Sequence, residues 1–522
     1  MSEIQRVRRN TLGDLLRRSK RRFPTKMALQ FAEESFTYAQ LDEIVNRTAN
    51  AVRASGLQKG DRAAVLSRNS LDFAILNFAL AKAGVILVPI NYMLNKDDVA
   101  FIFGHAEVSA CFASPEFISL ADDAIEQAGC GIVLKAIISK TSAPKDGWHQ
   151  FRELIDQASA NEPDVDLQDD DIAHILYTSG TESKPKGVML THKNLISEYV
   201  STIIDGSMAE DDIAIHALPL FHSAQLHCFL GPYVYLGASG IILEQATPDL
   251  LLETVETHKA TQLFCPPTVW IALLRSPEFA ARNLTSLKKC YYGAAIMPVE
   301  VLKELRKRLP DAQFWNFYGQ TEVAPLATVL KPDDQLRKPG SAGKPSLNVE
   351  TIIVDDEGNE VPRGSIGEIV HRTSHAMLGY FRDPEKTSAA FHNGWFHSGD
   401  LGIMDEEGYI TVVDRKKDMI KSGGENVSSR EVEELIYQHP KVSEVAVIGV
   451  PHPYWIEAVT GVVVPKAGES LTADEILAFC RDRLSSFKAP KFIVIADNLP
   501  RNPSGKILKR ELRLQHEMLA QQ

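Results

Sequence analysis

Short apolar runs alternate with helix-like segments along most of the chain from about residue 60. Arg62–Leu66 and residues 85–89 predict buried strands, and the apolar run Leu71–Ala83 between them predicts a helix. The alternation resumes after residue 187, with strand-like runs at 213–218, 239–243, 262–265, 288–292 and 314–317 and helix-like runs at 249–259 and 298–308. This order predicts an α/β fold with doubly wound, largely parallel sheets. Ligands of such sheets bind beyond the C-terminal strand ends.

The pattern changes near residue 349. Turn pairs at 357–358 and 407–408 separate β-rich runs, which predicts antiparallel strands in a β-rich subdomain. Beyond the polar run 414–418, the sequences at 428–431 and 472–475 are typical of capping boxes that open helices. We therefore expect a large N-terminal domain (1–414), a hinge (415–418) and a small mobile α+β C-terminal domain (419–522).

Composition excludes several classes of protein. The chain has 522 residues, of which 44% are hydrophobic and 24% charged, with a net charge of −12. The negative charge argues against nucleic acid as a partner, because phosphate backbones require clustered Lys and Arg. The cysteines are scattered without a CxxC pair, which is typical of a reducing compartment and gives neither a disulfide framework nor a zinc site.

The N-terminus is basic but lacks the apolar core of a signal peptide. Leu12, Leu15 and Leu16 are spaced for one face of an amphipathic helix. The most apolar stretch, 73–94, is interrupted by polar residues and Pro89, so we expect no transmembrane segment. We expect a cytoplasmic location, and leave open whether the basic helix contacts membranes peripherally and whether the protein is a homodimer.

The segment YTSGTESKPKG (177–187) follows the apolar run 172–176 and is a candidate phosphate-binding loop. Its backbone N–H groups and hydroxyls suit phosphate oxygens, and Lys186 adds a positive charge. It is not a Walker loop, because Pro185 stands where the second glycine is required. By composition alone, a polar surface loop explains it equally well.

Other segments carry candidate chemistry of the same kind. Glu322, just after a predicted buried strand, is a candidate Mg²⁺ ligand, and Tyr318 is a candidate stacking partner for a base. Asp400, between turns that glycine permits, is a candidate acceptor for ribose hydroxyls. Residues 421–426 predict a glycine-rich turn, and Lys506 lies in a loop near the C-terminus. Taken singly, each is explained as well by an ordinary turn or a surface lysine.

Taken together, these segments resemble the adenylate-forming superfamily of acyl-CoA synthetases, aryl-CoA ligases, luciferases and peptide-synthetase adenylation domains. The resemblance covers nearly the whole chain and rests on ordered segments at 177–187, 218–222, 292–295, 318–322, 398–400, 414–415, 423–426 and 503–506. It implies ATP, Mg²⁺ and coenzyme A as cofactors and a small-molecule carboxylic acid as substrate. The implied reaction forms an acyl-adenylate and pyrophosphate, then a CoA thioester and AMP.

The resemblance also implies roles for individual residues of the N-terminal domain. The phosphate-binding group is Thr178, Ser179, Gly180, Thr181, Glu182 and Lys186. The residues that enclose adenine are Gly293, Ala294, Ala295 and Tyr318. Further cofactor-binding residues are Gly319, Gln320 and Thr321. Thr178 and Glu322 are the implied Mg²⁺ ligands. His222 closes the acyl pocket near the reacting carbon.

Further implied roles fall near the hinge and in the C-terminal domain. Asp400 and Arg415 bind ribose, and Lys417 occupies the hinge position. Lys506 bridges the substrate carboxylate and the α-phosphate during adenylation. The face that lines the pantetheine tunnel after domain rotation carries Lys421, Ser422, Gly423 and Gly424.

The acyl pocket is expected to be largely apolar, with 223–229 on one side and 265–267, Trp270 and 294–297 on the other. We therefore predict a medium- or long-chain fatty acid, with an aryl or alicyclic acid such as a cinnamate as the alternative. No aspartate stands at Phe221 or His222, which argues against amino-acid substrates. A non-catalytic binding protein of the same fold is disfavoured by the full set of Lys186, Glu322, Asp400, Arg415 and Lys506.

Glu182 departs from the family's loop, which usually reads TSGTTGxPKG, and it supports a prediction. A carboxylate repels a triphosphate unless it points away from the nucleotide or pairs with a neighbouring lysine. We expect Glu182→Thr to leave the Michaelis constant for ATP unchanged or to lower it, as measured by steady-state kinetics. A large rise in that constant would show that the Glu182 side chain takes part in binding.

Overall fold

The computed structural model describes residues 3–139, 143–178, 184–295, 297–501 and 507–519. Contacts divide the chain into two compact units. The first is Met1–Glu350 with Arg372–Phe396, and the second is Thr351–His371 with His397–Gln522. The predicted division at residues 414–418 stays a prediction.

The helices follow in chain order. They are α1 (Glu3–Arg8), α2 (Leu12–Arg22), α3 (Tyr38–Ala54), α4 (Leu71–Ala83), α5 (Lys96–Ala106), α6 (Ile118–Ala128), α7 (Phe151–Asp156), α8 (His192–Asp205), α9 (Ser223–Gln225), α10 (Gly231–Leu236), α11 (Pro248–His258), α12 (Pro267–Arg275), α13 (Glu278–Ala281), α14 (Val299–Arg308), α15 (Pro384–Ala390), α16 (Ser429–Tyr437), α17 (Ala473–Arg481) and α18 (Lys509–His516). A π-helical segment, Leu226–Leu230, joins α9 to α10. Short 3-10 helices span Pro115–Phe117, Thr321–Val323 and Pro332–Asp334.

The strands are numbered in the same way. They are β1 (Met27–Phe31), β2 (Glu34–Thr37), β3 (Arg62–Leu66), β4 (Ile86–Pro89), β5 (Val108–Ala113), β6 (Leu134–Ile137), β7 (His149–Gln150), β8 (Ile172–Thr178), β9 (Lys186–Thr191), β10 (Ile213–His216), β11 (Ser239–Ile242), β12 (Gln262–Phe264), β13 (Lys289–Gly293), β14 (Gln313–Gly319), β15 (Leu326–Leu330), β16 (Lys344–Pro345), β17 (Val349–Val354), β18 (Ile366–Thr373), β19 (Gly379–Tyr380), β20 (Phe391–His392), β21 (Trp395–Met404), β22 (Ile410–Arg415), β23 (Ile420–Ser422), β24 (Glu425–Val427), β25 (Val442–His452), β26 (Ile456–Pro465) and β27 (Phe492–Ile495).

Two large sheets form the first unit. One runs β19-β9-β8-β4-β3-β5-β6-β7 and the other β16-β15-β14-β13-β12-β10-β11-β1-β2. Their central strands are parallel, whereas β8–β9, β9–β19, β14–β15 and β1–β2 are antiparallel. Both sheets therefore carry antiparallel strands at an edge of a parallel centre, a common arrangement in doubly wound folds.

Strand β3 shows why its sheet is covered on both faces. Its successive residues point to opposite faces. Ala63 and Val65 belong to one buried cluster, with residues of α3 and α4, whereas Ala64 and Leu66 belong to another, with residues of α5 and α6. Because both faces are buried, the strand sequence is a continuous apolar run. The predicted doubly wound α/β fold is confirmed.

The second unit contains most of two smaller sheets. β21 and β22 pair antiparallel across the turn at 405–409, as the turn pair predicts. The other sheet runs β24-β23-β26-β25, with β27 added to β26 in parallel. This mixture of helices and strands agrees with the α+β structure that the sequence predicts for the C-terminal region.

Two local predictions are wrong. Residues 398–400 are part of strand β21, whose residues alternate between buried and half-buried positions, and do not form turns. At 428–431 the Ser428 hydroxyl does accept the Glu431 N–H, at 3.3 Å. The Glu431 carboxylate instead accepts from Lys488 Nζ at 2.7 Å, so the second half of the capping box is missing.

None of the helices in the described part of the chain has the length and apolar character that a membrane span requires. The face of α2 that carries Leu12, Leu15 and Leu16 is buried in the first unit, as the spacing of the three leucines predicts.

Helix α8 contributes a buried carboxyl group to the interior of the first unit. Glu198 is fully buried, and its Oε1 accepts hydrogen bonds from the Thr202 hydroxyl at 2.7 Å and the Cys228 thiol at 3.3 Å. Desolvation raises the pKa of Glu198 from 4.5 to about 8. The side chain is therefore mainly protonated and uncharged at neutral pH.

This pKa predicts how stability depends on pH. The folded protein keeps a proton that the unfolded chain loses near pH 4.5, so the stability contributed by Glu198 is lost as pH rises towards 8. Replacement by a permanently neutral side chain, Glu198→Gln, removes this dependence. We compare the melting temperature of Glu198→Gln with that of the wild type at each pH. The difference, variant minus wild type, should increase from pH 5 to pH 9 by an amount that corresponds to about 2–4 kcal/mol in the free energy of unfolding.

Melting curves at one-unit pH intervals check this. Glu406→Gln, at an exposed position, is the matched control and should show a flat difference. A flat difference for Glu198→Gln as well would mean that Glu198 is ionised in the folded protein.

Candidate functional site

The two ends of the candidate phosphate loop are adjacent residues of a strand pair. Thr178 ends β8 and Lys186 begins β9, and the two are direct partners in the antiparallel register. Ser179, Gly180, Thr181 and Glu182 lie outside the described residues, so their predicted phosphate contacts stay predictions. The pairing nevertheless fixes where the loop leaves and re-enters the sheet.

Strand β19 lies on the other edge of β9. Tyr380 pairs with Val188, and its neighbour Gly379 pairs with Met189. Gly379 has a φ of +148°, and a Cβ there would lie 2.8 Å from Thr387. The Tyr380 N–H donates to the Thr387 hydroxyl at 2.9 Å, so this segment is held from both sides.

Tyr380 contacts two of the predicted site residues. Its hydroxyl donates to Glu322 Oε1 at 2.9 Å. The Lys186 ammonium lies over its ring, 4.8 Å from the centroid. The structure thus brings Lys186 and Glu322 to the same tyrosine. Tyr380 is not among the site residues predicted from the sequence. The sequence gives little signal for it, because Tyr380 reaches the site only through strand pairing.

Glu322 is also held by its backbone. It lies in the 3-10 helix Thr321–Val323 that follows β14, and its carbonyl accepts the Met377 N–H at 2.8 Å. Within the described residues, the Tyr380 hydroxyl is the one hydrogen-bond donor to its carboxylate, and it occupies Oε1. The second carboxylate oxygen accepts no hydrogen bond from the described residues.

The predicted adenine-binding residues lie at the carboxyl ends of two neighbouring parallel strands. Gly293 of β13 pairs with Phe317 of β14, so Ala294 and Ala295 come out of the sheet beside Tyr318. Both alanines are exposed, and Ala294 has a φ of +64°. This strand-end position is where a doubly wound sheet binds its ligands.

Glycine is required at two of these positions because the backbone is crowded. A Cβ on Gly293 would lie 2.5 Å from the Phe317 carbonyl oxygen, and one on Gly319 would lie 1.8 Å from the Pro325 oxygen. The Gln320 N–H donates to that same oxygen at 2.9 Å. The path of the chain from Tyr318 to Glu322 therefore depends on small residues.

His222 is next to the same 3-10 helix. It caps α9, where its Nδ1 accepts the Ala224 N–H at 3.3 Å, and the neighbouring Ser223 hydroxyl is 3.0 Å from that of Thr321. Desolvation lowers the pKa of His222 to about 4. The imidazole is therefore neutral at pH 7, with its proton on Nε2.

The second nearby histidine has a different environment. His227 stacks on His174, with their Nε2 and Nδ1 atoms 3.0 Å apart. Desolvation lowers the pKa of His227 to about 3, so it is neutral as well. Among the described residues, no group of three or more His, Cys, Asp or Glu side chains is arranged to hold a metal ion.

In the second unit, Asp400 and Arg415 face each other across β21 and β22. They are register partners, and Arg415 Nε lies 3.0 Å from Asp400 Oδ1. Asp400 is buried, with 6% of its surface exposed. The Arg415 N–H also donates to Asp414 Oδ1 at 2.7 Å. Asp400 and Arg415 therefore form an ion pair, and their ribose-binding role stays a prediction.

The residue at the predicted hinge has an unusual environment. Desolvation, with repulsion from Arg415, lowers the pKa of Lys417 to about 8. Its neighbour Lys416 differs, because it pairs with Asp356 at 2.8 Å and Glu368 at 3.2 Å. The hinge function of Lys417 stays a prediction.

The predicted pantetheine-facing residues form a tight hairpin. Lys421 and Ser422 end β23, and Gly423 and Gly424 turn with φ of +62° and +91°. The Gly423 N–H donates to the Trp455 carbonyl at 2.8 Å, and a Cβ on Gly423 would lie 3.1 Å from the Trp455 ring. Lys506 lies outside the described residues.

Comparison with known protein families agrees with this arrangement. The model for the AMP-binding enzyme matches residues 16–381, and the model for the AMP-binding enzyme C-terminal domain matches residues 431–506. The first match alone covers more than half of the chain.

Several characterised proteins are similar over nearly their full length. A feruloyl-CoA synthase of Amycolatopsis sp is 36% identical over 97% of this chain and 99% of its own. An indoleacetate–CoA ligase of Aromatoleum aromaticum is 34% identical over 94% of this chain and 95% of its own. A long-chain-fatty-acid–CoA ligase of Mycobacterium tuberculosis is 34% identical over 92% of this chain and 93% of its own.

Solved structures give the same result. ATP-bound MatB from Rhodopseudomonas palustris superimposes with a TM-score of 0.89 and 32% identity, covering 97% of this chain and 99% of its own. The anthranilate CoA ligase AuaEII in complex with anthranoyl-AMP gives a TM-score of 0.90 and 26% identity, covering 98% of each chain. The feruloyl-CoA, indoleacetate–CoA, long-chain-fatty-acid–CoA and anthranilate CoA relatives are named as CoA synthases or ligases. The chain therefore belongs to the AMP-binding enzyme family.

Proposed function

We propose that this protein is an ATP-dependent acid–CoA ligase whose substrates are aryl or arylalkanoic acids. The observation that carries the ligase proposal is the joining of Lys186 and Glu322 through Tyr380, since it places a cation and an oriented carboxylate at the end of the candidate phosphate loop. The substrate class rests on the relatives.

In the proposed first step, a carboxylate oxygen of the acid attacks the α-phosphorus of ATP, and pyrophosphate leaves. The substrate carboxylate is already ionised near pH 7, so this step needs no general base. Catalysis then depends on in-line positioning and on neutralising the negative charge. Lys186 supplies positive charge at the phosphate loop, and the proposed role of Lys506 is to bridge carboxylate and α-phosphate.

The chemistry of Thr178 and Glu322 fits Mg²⁺, which prefers oxygen ligands and retains waters and phosphate oxygens. Tyr380 orients one oxygen of Glu322 and leaves the other for a cation. When bound, Mg²⁺ would neutralise charge on the phosphates. Thr178 reaches the same loop from the end of β8.

The remaining groups bind and orient the substrates. We propose that Ala294, Ala295 and Tyr318 enclose adenine and that Asp400 and Arg415 hold ribose. In the second step the CoA sulfur attacks the acyl carbon, AMP leaves, and the thiol proton is released. The neutral state of His222 suits it to close an apolar pocket, because a charged imidazole would be costly there.

A buried aromatic cluster lies at the end of the segment that follows His222. Phe229 lies 4.4 Å from Phe264, 5.3 Å from Tyr291 and 5.9 Å from Phe317, measured between ring centroids. All four side chains are buried. These rings pack against one another in the core of the first unit, and the aryl class rests on the relatives. Feruloyl-CoA and indoleacetate–CoA relatives support the same class.

A medium- or long-chain fatty acid is the second candidate. The long-chain-fatty-acid–CoA ligase relative favours it, with 34% identity over 92% of this chain. Both candidates share the same chemistry at the reacting carboxylate and differ only in the acyl tail.

An AMP-release assay separates them. With ATP, Mg²⁺ and CoA present, we expect kcat/KM for ferulate, cinnamate and indoleacetate to exceed that for C8 to C18 fatty acids by at least about 10-fold, since pocket shape discriminates on that scale. The reverse order would establish the fatty-acid candidate.

Glu322→Gln is the control for contaminating ligases in this assay. Its AMP release should fall by about 100-fold or more with every acid. If no acid in the panel gives AMP release that depends on both the protein and CoA, the ligase proposal itself is contradicted.

A further inference from the structure

Tyr380 makes contacts that suit it to separate two opposite charges. Its hydroxyl donates to Glu322 Oε1 at 2.9 Å, while its ring carries the Lys186 ammonium at 4.8 Å from the centroid. A cation over an aromatic face and a carboxylate at a phenol hydroxyl are both favourable contacts. One side chain therefore provides a partner for each charge.

The position of the ring is set by the backbone around it. The Leu378 N–H donates to the Met189 carbonyl at 2.9 Å, and the Phe381 N–H donates to the Gly187 carbonyl at 2.7 Å. These bonds lie on either side of Tyr380 and attach it to β9, the strand that Lys186 begins. The ring and Lys186 thus share one rigid support.

Glu322 is attached to the same segment at two points. Its carbonyl accepts the Met377 N–H at 2.8 Å, and its carboxylate accepts the Tyr380 hydroxyl. Tyr380 is itself buried, with 7% of its surface exposed, whereas Lys186 and Glu322 are half-buried, so these contacts are partly shielded from water. Shielding strengthens each of them.

Tyr380 stands between Lys186 and Glu322, with the ammonium over its ring and the carboxylate at its hydroxyl. Opposite charges that pair neutralise one another, and neither then serves an incoming ligand. In the described ion pairs, Lys186 and Glu322 are not joined to each other. The phenol keeps the two charges apart and oriented.

We propose that Tyr380 is a positioning residue that holds Lys186 and Glu322 ready for the triphosphate and its metal ion. The inference rests on the proposed function, in which Lys186 contacts phosphate and Glu322 contacts Mg²⁺. Tyr380 acts through both residues: its hydroxyl governs the metal-dependent part of nucleotide binding, and its ring governs the metal-independent part.

Two substitutions separate these contributions. Tyr380→Phe keeps the ring under Lys186 and removes the hydrogen bond to Glu322. Tyr380→Leu removes both. Calorimetric titration with ATP, first in EDTA and then in excess Mg²⁺, measures the two parts as dissociation constants without any turnover.

For Tyr380→Phe we expect the dissociation constant of Mg·ATP to rise by about 5- to 20-fold, as expected for losing one charge-assisted hydrogen bond. The constant in EDTA should stay within about 2-fold of wild type. For Tyr380→Leu we expect both constants to rise, the EDTA value by at least about 3-fold.

Tyr38→Phe is the matched control, since it removes another buried hydroxyl of the first unit, one that donates to the Ala238 carbonyl at 2.6 Å. It should change neither constant. If Tyr380→Leu fails to fold, Tyr380→Phe still decides the question through a double-mutant cycle. In a Glu322→Gln background, Tyr380→Phe should have little further effect on Mg·ATP binding.

The outcomes are distinguishable. If the wild type binds Mg·ATP and Tyr380→Phe binds it with the same dissociation constant, the role of Tyr380 is overturned and the proposed function stays intact. Equal loss in EDTA and in Mg²⁺ for Tyr380→Phe would also overturn it, since the hydroxyl would then act generally. Absence of any Mg·ATP binding by the wild type would overturn the proposed function and this inference with it.

Discussion

The candidate phosphate-binding loop depends on one interaction, the antiparallel pairing of β9. This strand pairs with β8 on one side and with β19 on the other. It makes Thr178 and Lys186 register partners and brings Tyr380 alongside. Tyr380 then reaches Glu322, which comes from the second large sheet. Backbone hydrogen bonds therefore set the positions of side chains that are distant in sequence.

Desolvation is the second constraint on this unit. Buried ionisable groups lose their charge where no opposite charge compensates them. Glu198 has its pKa raised to about 8, while the pKa of His222 falls to about 4. The interior around α8 and α9 is therefore electrically neutral at pH 7.

Much of this could be predicted from the sequence, because burial on two faces leaves continuous apolar runs. The helix Leu71–Ala83 has the predicted bounds, and the candidate residues from Gly293 to Glu322 do lie at strand ends. Which strands pair with each other leaves no comparable signal in the sequence. The antiparallel addition of β9, the strand at Ser398–Asp400 and the role of Tyr380 each depend on hydrogen bonds between distant segments, which periodicity does not encode. The acyl substrate was equally hard to predict, since apolar side chains accept many tails.

The most direct test of the account is whether adenylation occurs without coenzyme A. The measurement is ATP–pyrophosphate exchange with a competent acid, ATP, Mg²⁺ and labelled pyrophosphate. We predict acid-dependent exchange in the absence of CoA, its loss in Lys506→Ala, and retained thioester formation by Lys506→Ala from supplied acyl-adenylate and CoA. Exchange that requires CoA, or equal loss of both half-reactions in Lys506→Ala, would contradict the account.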